Sequence, residues 1–204
     1  MPETKLPVPV LSPRLADAVG YALQLHARQP RKGGTIPYLS HLLATSAFVL
    51  EHGGTEDQAI AALLHDAAED GPENVPGLTA EQVLTSIAER FGPEVADIVR
   101  ACSDTVEHPK PEWEIRKHRY LDHLRTASDD MLLVSASDKL HNLLAIGADY
   151  REHGEAVFER FDADADRVRW YYVSLVEVFS DRLGPTHPRL VAELERGLDA
   201  IDAR

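Results

Sequence analysis

Residues 59–70 read AIAALLHDAAED. Apart from His65, Asp66, Glu69 and Asp70, every residue in this stretch is alanine, leucine or isoleucine. The run reads as a buried helix, and four ionisable side chains on two turns of such a helix are costly unless something binds them. On a continuous helix, positions four apart share a face, which puts His65 beneath Glu69 and Asp66 beneath Asp70. His65 and Asp66 then lie about 100° apart around the axis, close enough for both to reach one ion beside the helix. Ala61, Ala62, Ala67 and Ala68 keep the flanks small, so neighbouring helices can approach.

Outward from this stretch the chain continues as helices. Thr55 with Gln58 three residues later fits a capping box that starts the helix carrying the motif, and Thr79 with Gln82 repeats the device. Ser12 and Pro13 open a first helix near 13–29. A second, LSHLLATSAFVLEHGG (39–54), is stopped by its glycines. Between these two, PRKGGTIPY (30–38) is a loop, because two glycines and two prolines break both helix and strand. Gly92 and Pro93 end one helix and start the next, PEVADIVRACSD (93–104). Helical spacing returns at 116–127, 129–150, 166–184 and 188–201. No alternating strand pattern, hairpin signal or internal repeat is present. The expected class is all-α, a single compact bundle of about eight or nine helices over residues 13–204, with residues 1–12 as an extended, proline-rich arm.

At 204 residues the chain suits one domain with a core. It has no run of ~20 apolar residues and no secretory leader, so the expected location is the cytoplasm, with no membrane partner. A single cysteine, Cys102, excludes an internal disulfide and argues against a thiolate zinc site. The net charge of −13 opposes broad nucleic-acid binding. Seven of the 21 Lys and Arg residues nevertheless fall within HARQPRKGG (26–34) and KPEWEIRKHR (110–119): Arg28, Arg31, Lys32, Lys110, Arg116, Lys117 and Arg119. This clustering suggests either local anion handling or solvated surface charge.

Neighbouring helices offer further donors to the His65–Asp66 pair, namely His41 and the Asp138 of SDKLHN. Two imidazoles and two carboxylates make a nitrogen and oxygen site suited to Mn²⁺, Fe²⁺, Co²⁺, Ni²⁺ or Zn²⁺, and ligand type alone does not choose among them. A metal so held activates water and polarises a phosphoryl oxygen, and Glu69 and Asp70, one turn beyond, are placed to orient or deprotonate that water.

RKGGTIPYLSHLLATSAFVL, AALLHDAAED, FGPEVADIVRACSD, SDKLHNLLAI and YYVSLVEVFSDRLG, in this order, resemble the HD phosphohydrolase superfamily. The likeness is closest to the small stand-alone alarmone hydrolases of RelA/SpoT type. It runs from about Leu15 to Leu183. It implies a single-metal site of His41, His65, Asp66 and Asp138, usually filled by Mn²⁺, with Glu69 and Asp70 as the water-activating acidic pair. It further implies Arg31 and Lys32 beside the substrate and Asn142 in the nucleotide pocket. Lys139 stands where the family has Arg or Lys, for packing or a salt bridge, and Lys110, Arg116 and Lys117 are similar to a basic segment near the pyrophosphate. The implied activity is removal of the 3′-pyrophosphate from (p)ppGpp or (p)ppApp, a small-molecule substrate. Hydrolysis without synthesis is expected, since no stretch after the bundle has room for a synthetase domain. The loop between Lys32 and Tyr38 and the segment between Cys102 and Tyr120 depart from the long bifunctional enzymes, which leaves the choice between guanosine and adenosine open. Two other readings stay open beside this one: a phosphohydrolase of another nucleotide, such as a 5′-nucleotidase or NADPH phosphatase, and a non-catalytic alarmone sensor.

Other conspicuous residues have plainer expected roles. His26 reads as packed or capping, and His141 as a hydrogen-bond partner behind the site. Trp113 stacks on a base or anchors its loop, and Trp170, Tyr171 and Tyr172 follow a helical pattern that makes most of them core and leaves one tyrosine able to face the pocket. His108, His118 and His123 show no arrangement for a second metal.

Overall fold

The computed structural model describes residues 10–103 and 111–202. Among these residues the chain is all helical: α1 (Pro13–His26), α2 (Leu39–Glu51), α3 (Glu56–Leu64), α4 (Ala67–Asn74), α5 (Ala80–Phe91), α6 (Pro93–Cys102), α7 (Trp113–Leu124), α8 (Asp129–His153), α9 (Ala165–Leu183) and α10 (Pro188–Asp202), with a 3-10 segment Gly154–Arg160 between α8 and α9. The arm expected over residues 1–12 lies, up to residue 9, outside the described residues, as do Lys110 and His108.

Local chemistry sets most boundaries. The Ser12 hydroxyl accepts from the Arg14 amide and Pro13 opens α1. Thr55 and Thr79 each form the full capping box with Gln58 and Gln82. Gly92, at φ 102°, ends α5 and precedes Pro93 at the start of α6, a left-handed position that a side chain would resist.

Two helices carry stretches that are buried on every side and form the centre. In α3, residues 59–64 are all buried, and in α8 the same holds for residues 131–138. These two pack on each other, and α2 packs on both. The amphipathic helices α1, α6, α9 and α10 pack against them with their apolar faces inward, and α5 packs on α4 and α6. His41 on α2, the residue ending α3, and Asp138 on α8 are thereby brought to one point in the interior.

The structure corrects one expectation. AIAALLHDAAED is not one helix: α3 ends at Leu64 and α4 begins at Ala67. Asp66, at φ −97° and ψ 0°, lies off the helical track, and both Glu69 N and Asp70 N donate to its carbonyl oxygen. The physical reason lies in the charges themselves. At the N-cap of α4 the Asp66 carboxylate caps no backbone amide; it accepts from the Tyr38 hydroxyl and lies against His65 instead.

Candidate active site

His65 is 3% exposed, His41 1% and Asp138 5%, and their ligating atoms all lie within 4.8 Å of one another. Their hydrogen bonds fix the ring tautomers. His65 Nδ1 lies 2.8 Å from the Ala62 carbonyl, which only accepts, so Nδ1 carries a proton and Nε2 is the nitrogen that takes either the ionising proton or a metal. That Nε2 is buried without a hydrogen-bond partner, 2.8 Å from Asp66 Oδ2 and 3.7 Å from Asp138 Oδ1.

His41 reaches the same state by a longer chain of bonds. Arg31 Nη1, which only donates, lies 3.2 Å from His141 Nδ1, so that nitrogen is an acceptor. His41 Nδ1, 2.8 Å from the same atom, must then donate to it. The remaining nitrogen, His41 Nε2, therefore points a lone pair at Asp138 Oδ1, 3.1 Å away. His141 acts as the hydrogen-bond partner expected of it. Burial, His41 and Arg31 together push its pKa down to about 4, which keeps it neutral and accepting.

Two imidazole nitrogens thus face the buried Asp138 and the partly buried Asp66, an arrangement that repels itself unless a proton on His65 or a metal cation sits among them. Ligands about 2.1 Å from one ion lie roughly 3–4 Å from each other, and these separations fit that spacing. The nitrogen and oxygen donors suit a divalent transition metal. Both oxygens of Asp138 are held as well: Asn142 Nδ2 donates at 2.6 Å to Oδ1, the oxygen that faces the histidines, and Lys139 Nζ donates to Oδ2 at 2.5 Å. Lys139 is the salt-bridge partner anticipated for it, its ammonium 5.4 Å from the Tyr120 ring centre.

The electrostatics carry the same demand for positive charge. Burial alone would lower His65, but Asp66 and Asp138 outweigh it and push its pKa up to about 9. Burial would raise both carboxyls, yet His65 holds Asp66 well below the usual range and Lys139 with His65 does so for Asp138. Because the folded value of His65 lies above its ordinary 6.5, its contribution to stability is complete below about pH 6.5 and is lost as pH rises through about 9. A divalent metal replaces that proton as the counter-charge. Metal added to stripped protein is therefore expected to raise Tm more at about pH 8.5 than at about pH 6. Equal gains at both would show that metal does not displace the His65 proton.

Beside the cluster opens a cleft of about 650 Å³, whose lining includes Tyr38, Lys139 and Asn142. It gathers Arg31, Lys32, Arg116, Lys117, Lys139 and Arg160 against Asp149 and Asp162, a cationic hollow in a chain of net charge −13. Lys32 pairs with Asp162 at 2.9 Å and Arg160 with Asp149 at 2.6 Å, while Lys117 sits 4.9 Å from the Tyr171 ring centre. Arg31 Nη2 donates to Asn142 Oδ1 at 2.9 Å, linking the basic loop through Asn142 to Asp138. The loop folds back on itself through the Pro30–Pro37 bridge, and its turn at Gly33, φ 81°, rests on the Arg160 side chain. Trp113 packs against Trp170 and Tyr171 and also lines the cleft, so it anchors its segment with one side toward the hollow. Tyr171 and Tyr172 are buried as expected, whereas Trp170 is 37% exposed.

The HD domain profile matches residues 18–166, which contain every one of these ligating atoms. The chain belongs to the HD domain family. Over 132 residues this HD domain is 33% identical to guanosine-3′,5′-bis(diphosphate) 3′-pyrophosphohydrolase MESH1 of Xenopus tropicalis, covering 63% of the chain and 67% of that protein. It is 32% identical over 127 residues to the guanosine-3′,5′-bis(diphosphate) 3′-pyrophosphohydrolase of Aquifex aeolicus, covering 62% of the chain but 17% of that protein. In fold it resembles a metazoan ortholog of SpoT reported to hydrolyze ppGpp, with a TM-score of 0.70 at 24% identity over 92% of this chain and 95% of the other.

In this HD domain Glu69 and Asp70 sit half-buried in the first turn of α4. Asp70 Oδ2 accepts from Gln29 Nε2 at 2.7 Å, and burial followed by the Asp66 charge pushes its pKa up to about 7. Three contributors escaped the sequence reading: Tyr38, Gln29 and Arg160. Tyr38 carried a signal, since it lies three residues before His41 and so meets the same interior as that helix begins. Gln29 and Arg160 carried none, because each acts only through contacts distant in sequence. Among the described residues no helix is long and apolar enough to cross a membrane.

Proposed function

We propose that this HD domain is a divalent-metal-dependent pyrophosphohydrolase that removes the 3′-pyrophosphate from (p)ppGpp- or (p)ppApp-type nucleotides. One observation carries the proposal: His41, His65 and Asp138 converge, with Asp66 against His65, beside a cationic cleft large enough for a nucleotide. The names of the frog and Aquifex relatives support the substrate class. His41, His65, Asp66 and Asp138 would hold the metal, which we take to be Mn²⁺. When bound, it lowers the pKa of water and polarises a phosphoryl oxygen.

The chain's own groups supply the rest. Asp70, ionised above about pH 7, takes a proton from the attacking water, and Glu69 beside it orients that water. The water oxygen bonds to the phosphorus carried by the ribose 3′ oxygen, the bond between that phosphorus and the 3′ oxygen breaks, and the proton passes to the departing 3′ oxygen, releasing pyrophosphate and a nucleotide with a free 3′ hydroxyl. Arg31, Lys32, Arg116 and Lys117 neutralise the phosphates, and Asn142 contacts the nucleotide while holding Asp138.

Metal-stripped protein with Mn²⁺ restored, presented with ppGpp, pppApp, NADPH and simple nucleotides, tests the proposal. Pyrophosphate release from a 3′-pyrophosphorylated nucleotide is the expected result and reveals the preferred base. Inorganic phosphate from another nucleotide alone would reassign the substrate, and tight alarmone binding without turnover would make the chain a sensor.

A further inference from the structure

We infer that Gln29 is a positioning residue for this reaction: its side-chain amide grips one oxygen of Asp70 so that the other faces the attacking water. The inference rests on the role proposed for Asp70. Gln29 Nε2 donates to Asp70 Oδ2 at 2.7 Å, while Gln29 Oε1 accepts from His26 Nδ1 at 2.7 Å and from Asn74 Nδ2 at 2.6 Å. With two donors on its oxygen, the amide cannot be turned around without losing three bonds, so its NH₂ group must face the carboxylate. His26 is itself fixed, 2% exposed and stacked on the Tyr38 ring at 5.5 Å and 29°. The Gln29 carbonyl in turn accepts from the Tyr38 amide at 2.8 Å, and the Tyr38 hydroxyl donates to Asp66.

One residue therefore stands behind two carboxylates of the centre, Asp70 directly and Asp66 through Tyr38. The chemistry of the donor matters. Asp70 shares its surroundings with Asp66, Glu69 and Glu73, where an arginine or lysine would be the ordinary partner. Such a cation would suppress the carboxylate's basicity, whereas a neutral amide orients it and leaves it able to take a proton.

Gln29→Glu is the informative replacement, because it keeps the oxygen that His26 and Asn74 need and puts a carboxylate oxygen in place of the NH₂ donor, so that Asp70 is repelled where it was gripped. In the Mn²⁺-loaded chain kcat is expected to fall about 10- to 100-fold, with KM and Mn²⁺ affinity within about twofold of the parent. In an Asp70→Asn background the same replacement is expected to change kcat by less than about twofold, since the group it positions is already disabled. Independent multiplication of the two effects, or a parallel loss of Mn²⁺ affinity, would overturn the positioning role.

A readout free of turnover accompanies this. In ¹⁵N-glutamine-labelled protein, whose only glutamines are Gln24, Gln29, Gln58 and Gln82, the Gln29 side-chain resonance is expected to move on Asp70→Ala. An unmoved resonance would overturn the contact itself, whatever the activity. A moved resonance in a chain that hydrolyses no 3′-pyrophosphorylated nucleotide would instead overturn the hydrolase assignment and reduce the bond to a structural one.

Discussion

His65→Ala is expected to abolish both metal binding and hydrolysis, lowering turnover by about 10³-fold or more, equivalent to several kcal/mol of lost charge stabilisation. The expectation follows from the tautomer that the Ala62 carbonyl imposes. With Nδ1 bonded to the Ala62 carbonyl, the ionising proton of His65 sits on Nε2, a buried atom with no hydrogen-bond partner that faces two carboxylates, and this is the place a metal takes when it displaces that proton. Removing the ring takes away one of two nitrogen donors and leaves Asp66 and Asp138 facing each other without the group that balances them. The metal-induced rise in Tm above pH 7 should vanish together with activity. Calorimetric titration of stripped protein with Mn²⁺ checks the first part. A His65→Ala chain that still bound Mn²⁺ at parental affinity would sink the assignment of this cluster as the metal centre.

How much of this was legible beforehand follows the range of the interactions. Ser12, the two capping boxes and the Gly92–Pro93 junction fix helix ends by bonds within three residues, and the sequence reading placed those ends correctly. Periodicity placed α8, α9 and α10 within a few residues, because each buries a consistent stripe or is buried throughout. α7 starts at Trp113, three residues before the expected Arg116, since Trp113 packs on α9 across the fold. The break at His65–Asp66 had no glycine or proline to announce it; tertiary partners of the two charged side chains hold the chain there. The 3-10 segment at 154–160 likewise follows no apolar period of its own. Within the site, His65 and Asp66 stood out because charge in an apolar run is anomalous. Gln29 reaches Asp70 across 41 positions and Arg31 reaches Asn142 across 111, and no local pattern encodes such distances.

Asp70→Asn is expected to lower kcat by about 10²- to 10⁴-fold, the usual scale for loss of a positioned base, while Mn²⁺ affinity stays near the parental value. The replacement is nearly isosteric and keeps an oxygen for Gln29 Nε2, so the fold and the His41, His65 and Asp138 cluster are left in place. What it removes is a carboxylate whose pKa burial and the Asp66 charge push up to about 7. In the parent chain, activity should rise with pH as this group loses its proton, giving an acid limb at or below about pH 7, since a bound cation draws the value downward. In Asp70→Asn that limb should be absent. Glu69→Gln separates the two acidic residues: if Glu69 only orients the water, its replacement lowers kcat but keeps the acid limb. Initial rates from about pH 5 to 9, paired with metal titration of each variant, decide the matter. An Asp70→Asn enzyme that retained the limb would move the base to Glu69, and equal loss of metal affinity and turnover in both variants would make the acidic pair part of the metal centre.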